Sequence, residues 1–131
     1  MNYLSHYTQQ ATTDALNSNG AFFAFGNDQF DAAMAPGVNY TPMGAGLYCP
    51  NENRMRLNDA LDNAITQGIA ADIAENGIEA IIMRELGNYE TQITGDISDA
   101  VDALHGYGIS AEQVQLAYGV FYQHCIDNDY F

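Results

Sequence analysis

The spacing of apolar and polar positions divides the chain into a mixed first part and a helical remainder. Tyr3 to Ser18 carries the helix formers Ala11, Ala15 and Leu16 and stops at Asn19-Gly20, a pair suited to the left-handed residue that ends a helix. The aromatic run Ala21-Phe22-Phe23-Ala24-Phe25, bounded by glycines, predicts a short buried strand. Asn27 or Asp28 is placed to cap a short helix through Phe30 and Met34, which Pro36-Gly37 would end. Val38 to Thr41 and Gly46 to Cys49 predict two more strands around a Pro42-Met43-Gly44-Ala45 turn.

From Asn51 onward the period changes from two to 3.6. Leu57, Leu61, Ala64 and Ile65 share one helical face, opposite Asp59, Asp62, Asn63 and Thr66. Ile69 and Ile73 drift off that face, so Gly68 is expected to mark a bend and Asn76-Gly77 a stop. Ile78, Ile81, Ile82, Leu86 and Tyr89 form the next stripe. Asp96 is the expected N-cap of a helix carrying Ile97, Val101 and Leu104, which ends at Gly106. Ser110 and Gln113 have the spacing of a capping box. Beyond them, Val114, Ala117, Tyr118, Phe121, Tyr122 and Cys125 make the cleanest apolar stripe in the chain. The expected fold is α+β and mainly helical, with a small antiparallel sheet in the first 50 residues, in one compact domain over 1–131.

Charge changes the picture more than any motif does. Seventeen acids face three arginines, there is no lysine, and the net charge is −14. Such a chain is unsuited to phosphate backbones or anionic membranes, and suited to fast association with a basic surface. The N-terminal residues Met1 to His6 show neither a basic region nor an apolar run, so the expected compartment is the cytoplasm. Cys49 and Cys125 belong to no CxxC pair and are expected as buried free thiols.

Enzyme chemistry finds little support in the residues. Gly44-Ala45-Gly46 resembles part of a phosphate loop but lacks its lysine, and no GxGxxG fingerprint is present. No serine lies in a GxSxG elbow, and the neighbours His124 and Cys125 point about 100° apart on a helix. No HExxH motif or EF-hand loop occurs, so neither a metal nor a cofactor is expected. His105, in the last turn of its helix, has a dipole-stabilising reading. Glu85 alone breaks a pattern, falling among Ile81, Ile82, Leu86 and Tyr89. It is either a general acid of raised pKa or, as favoured here, a structural carboxylate that binds a tyrosine or an arginine or is rotated to the edge of the face.

Leu104 to Gln113, a helix end followed by Gly-Tyr-Gly and a capped helix, resembles the first turn of ubiquitin-associated domains and the middle of a helix-turn-helix. The second helix carries no Lys or Arg, which removes DNA reading, and shared capping chemistry explains both likenesses. Phe22-Phe23-Ala24-Phe25-Gly26-Asn27-Asp28-Gln29-Phe30 and Gly44-Ala45-Gly46-Leu47-Tyr48-Cys49-Pro50 resemble stretches of small, uncharacterised bacteriophage accessory proteins, a likeness covering about residues 20–125. In size, acidity and helix content the chain is similar in kind to phage antirestriction and anti-CRISPR inhibitors. That resemblance implies a protein that blocks a host defence complex at its DNA-binding surface.

The acidic spacing offers a means. Asp96, Asp99 and Asp102 recur about every 4.5 Å of helix rise, and Asp59 and Asp62 repeat the interval earlier. Fourteen net charges match those on roughly 24 Å of duplex. The expected partner-binding residues are therefore Asp59, Asp62, Asp96, Asp99 and Asp102. Their expected partner is the basic surface of a host defence nuclease or DNA-binding subunit. The alternatives are an interaction or assembly module without mimicry, and an enzyme using the Glu85 carboxylate.

Overall fold

In the computed structural model, which describes residues 1–131, the first helix, α1 (Leu4–Ser18), ends just before Gly20, which adopts φ 69°. Strand β1 (Phe22–Phe23), helix α2 (Asn27–Ala33) and strands β2 (Tyr40–Gly44) and β3 (Leu47–Pro50) follow. A 3₁₀ turn (Asn51–Asn53) leads into α3 (Arg54–Asn76), α4 (Ile78–Asn88), the single turn α5 (Thr91–Thr94), α6 (Ser98–His105) and α7 (Ala111–Asn128). The fold is α+β and mainly helical, with one small antiparallel sheet near the N-terminus, in the strand order β1-β3-β2. The chain divides into two compact units, Leu4–Gly68, and Met1–Tyr3 with Ile69–Phe131.

In the Leu4–Gly68 unit the hairpin turns at Ala45-Gly46, not across Pro42 to Ala45. Gly44 pairs with Leu47, leaving a two-residue loop with φ of 52° and 81°. Positive φ at both positions matches the right-handed twist of the flanking strands. The Phe25 ring lies over Gly46, where a Cβ would stand 2.4 Å from it and oblige this exposed ring to move. Pro42 sits within β2, tolerated because β2 is an edge strand and needs no second ladder.

The aromatic run is not the buried strand its composition predicts. Only Phe22 and Phe23 pair with β3, and strand alternation sends them to opposite sides. Phe22 joins Phe30, Tyr40 and Tyr48 in a cluster with centroids 4.9 to 5.9 Å apart. Phe23 and Phe25 remain 52% and 73% exposed. Helix α2 has Gly26 at its N-cap with no side-chain cap; Asn27 and Asp28 already lie inside it. The small apolar core here is Ala15, Cys49 and Leu57, flanked by Leu16, Leu47, Ala60 and Leu61. Ile65, expected on the same face, is exposed.

Helix α3 continues through Gly68, so the predicted bend is replaced by a different reason for the glycine. A Cβ at Gly68 would meet Thr8 Cγ2 at 2.4 Å, which identifies the residue as the point of close approach between α1 and α3.

The Ile69–Phe131 unit follows its sequence pattern closely. Ile81, Ile82 and Leu86 of α4, Ala100 and Leu104 of α6, and Val114, Phe121 and Cys125 of α7 form one buried cluster with Ile109. Ala117 and Tyr118 pack against it, whereas Tyr89 and Tyr122 stay 37% and 40% exposed. Ser110 caps α7 in the expected reciprocal box: its Oγ accepts from the Gln113 N–H at 3.2 Å, and its own N–H donates to Gln113 Oε1 at 2.8 Å. Both cysteines are free and buried, and burial raises their pKa. No helix is long and apolar enough to cross a membrane.

Candidate functional site

Arg84 is the only cation beyond Arg56, and it lies on α4 beside Glu85, one step from an apolar stripe. An arginine so placed must find anions, because a buried charge left unpaired is strongly destabilising. It finds them on two sides. Nη1 and Nη2 donate to the two oxygens of Asp72 at 3.0 Å each, a bidentate fork, and Nε donates to Glu85 Oε1 at 2.9 Å. The Tyr107 hydroxyl donates to Asp72 Oδ2 at 2.5 Å, and Asn76 Nδ2 donates to Oδ1 at 2.8 Å. Asp72, fully buried, is thus met on both oxygens.

Burial by itself would raise the Asp72 carboxyl, but hydrogen bonds from Arg84, Tyr107 and Asn76 outweigh it and hold the group below the usual aspartate range. Burial likewise disfavours the Arg84 charge, yet its hydrogen bonds to Asp72 and its other partners push its pKa upward overall. The Tyr107 hydroxyl is pushed up to about 12, first by burial and then by its bond to Asp72. All these shifts fix one protonation state near neutrality, which is what a structural clamp requires.

The clamp also fastens the N-terminal residues. Arg84 Nη1 donates to the Asn2 carbonyl at 2.9 Å, and the guanidinium lies 5.7 Å from the centroid of the Tyr3 ring. Glu85 is buried among apolar neighbours, as its helical phase predicts, and its Arg84 partner supplies the structural explanation favoured over acid catalysis. Asp72, Arg84 and Tyr107 escaped the sequence reading because their contacts span 12 to 35 residues. The available signal was the lone arginine in an acidic half-chain.

The five aspartates proposed from spacing are all exposed. Asp59 and Asp62 lie on α3 in the Leu4–Gly68 unit. Asp96, Asp99 and Asp102 lie before and along α6 in the other unit, so each stripe belongs to a separate unit. Asp96 does not occupy the N-cap, which is Ile97, but stands one residue earlier. Its Oδ1 accepts from the Ser98 hydroxyl and, at 2.9 Å, from the Ser98 N–H. These two bonds, the hydroxyl first, lower its pKa. The carboxylate therefore still serves a free N–H at the start of the helix, through an Asx turn displaced by one residue.

No group of three or more His, Cys, Asp or Glu side chains is placed to hold a metal ion. An apolar groove lies in the Ile69–Phe131 unit with Met1. It has a volume of about 610 Å³, with Met83 and Gly87 of α4 and Val120 and His124 of α7 in its wall.

Comparison with curated proteins and with solved structures gives no match. A family model matches residues 4–123, nearly the whole chain, with Asp72, Arg84 and Tyr107 of the clamp inside the match: the chain belongs to a family of unknown function (DUF7659).

Proposed function

We propose that this chain acts by binding, as a phage-type inhibitor whose acidic helix faces engage the basic surface of a host defence nuclease or DNA-binding subunit in the host cytoplasm. The observation that carries the reading is the distribution of charge. Asp59, Asp62, Asp96, Asp99 and Asp102 are exposed, while Arg84, one of only three cations, is spent inside on Asp72 and Glu85. The remaining carboxylates share two arginines, Arg54 and Arg56. An exposed, undercompensated acidic surface speeds encounter with a cationic one, and its net charge of −14 equals that on roughly 24 Å of duplex.

Binding of a variant with all five aspartates changed to Asn tests this, using the host protein that copurifies with the wild type. The expected result is a fall in association rate of tenfold or more, a wild-type affinity that weakens as salt shortens the Debye length from about 10 Å to about 3 Å, and undiminished stability. Equal affinity for the two proteins with no salt dependence would reduce the stripes to solvated faces.

A second reading, an assembly module without mimicry, draws on the sheet. Phe23 and Phe25 stack at 6.5 Å with planes 8° apart, largely exposed beside the open edge of β1. Copurification with a virion protein or a second copy, in place of a host nuclease, would favour it.

A further inference from the structure

Helix α7 has two apolar faces, and the core uses only one. Val114, Phe121 and Cys125 point inward; on another side Leu116, Val120 and His124 follow each other at intervals of four, so they share one row about 12 Å long. Leu116 and Val120 are 78% and 65% exposed. Val120 and His124 also wall the 610 Å³ groove, with Met83 and Gly87 of α4. The groove is open because position 87 lacks a side chain: a Cβ there would stand 3.9 Å from the Phe121 ring, in ordinary contact, so nothing sterically requires glycine.

Charge indicates what fits the groove. Glu112 lies one turn before Leu116 in the same row, Asp127 one turn after His124, and Glu79 one turn before Met83; all three are exposed. The single arginine in the wall, Arg84, is held by Asp72 and Glu85. A second copy of this chain would bring −14 against −14. A small molecule would leave the outer end of the row uncovered and would find few polar groups to orient it.

We infer that the α4–α7 groove and the Leu116–Val120 row receive an amphipathic helix of a partner protein, its apolar face inward and its flanks carrying Lys or Arg. Ridges of a third helix fit a groove between two others, and anchors at i, i+4 and i+7 match the length of the row. The acids at both ends and on the α4 side then pair with the flanking cations. The cationic half of this inference rests on the function proposed above; the site is different, since none of the five aspartates lines the groove.

The probe is a synthetic Leu/Lys peptide with helical spacing, compared with a peptide of the same composition scrambled to lose its apolar face. Fluorescence anisotropy should show the scrambled peptide binding about tenfold more weakly or worse. Val120→Asp separates burial from charge, because it adds a carboxylate. Electrostatics alone would leave affinity equal or higher, whereas occupation of the groove predicts a loss of tenfold or more. Gly87→Leu, which fills the groove without changing charge, should give a loss of similar size. Circular dichroism and the melting temperature of Val120→Asp should match the wild type, since the residue is exposed. Equal binding of the two peptides, or Val120→Asp binding as tightly as wild type, overturns the inference. If that happens while the fivefold Asp→Asn variant still loses its salt-dependent partner, the groove fails and the stripe reading stands.

Discussion

The two units of this protein bury their aromatic residues in different ways. In the Ile69–Phe131 unit, nine buried residues form one cluster and Phe121 is 7% exposed, fixed by contacts from α4, α6 and α7. In the Leu4–Gly68 unit only Ala15, Cys49 and Leu57 form the buried cluster; four aromatic rings, of Phe22, Phe30, Tyr40 and Tyr48, gather by the three-stranded sheet, while Phe23 and Phe25 stack apart from them, largely exposed. A helix stripe meets several other helices and is enclosed; a small sheet covers only one face. The difference teaches that aromatic content alone does not locate a core. The Ile69–Phe131 unit also contains the Asp72–Arg84 clamp, so its stability depends on charge as well as on packing.

The largest expected effect comes from emptying the larger core. Phe121→Ala should cost about 3–5 kcal/mol in denaturant melts, the usual range for a buried aromatic. A loss below about 1 kcal/mol would erase the contrast between the units.

A smaller effect should come from the clamp. Tyr107→Phe removes a hydrogen bond to a buried carboxylate and should cost about 1–3 kcal/mol at neutral pH. Its pH dependence has a definite sign. The folded Asp72 carboxyl is held below its unfolded value, so its stabilisation is complete above an unfolded pKa of about 3.9 and is lost as pH falls through the lower folded value. Removing the Tyr107 bond should move that acid loss to higher pH. Acid unfolding curves of the two proteins measure the displacement, and superimposable curves would mean that the hydroxyl does not stabilise the charge.

The smallest effect is expected at Phe25→Ala. The ring is 73% exposed, and stability should stay within about 0.5 kcal/mol of wild type. A loss comparable to that at Phe121 would show that covering Gly46 is a substantial packing role.

Sequence legibility followed the range of the interactions. The Ser110–Gln113 box, the stripes of α4 and α7 and the exposure of Asp59, Asp62, Asp96, Asp99 and Asp102 are set within one or two helical turns, where side-chain period and cap chemistry dictate geometry. The hairpin was visible as a hairpin, but its turn moved from Pro42–Ala45 to Ala45-Gly46. An edge strand tolerates the proline, and that edge position was not visible locally. Gly68 was visible as an exception to its helix, while its cause, Thr8, lies 60 positions away in the chain.

By itself, then, the sequence determined the negative charge, which is a matter of composition, and the fold class, the helical stripes and the α7 cap, which depend on neighbours a few residues apart. Tertiary structure alone decided that Arg84 would join Asp72 and Glu85, that Tyr107 would complete that site, and that one apolar row of α7 would remain outside. Those outcomes depend on which distant helices meet, and a buried ion pair forms only where the fold brings both partners into one water-free place.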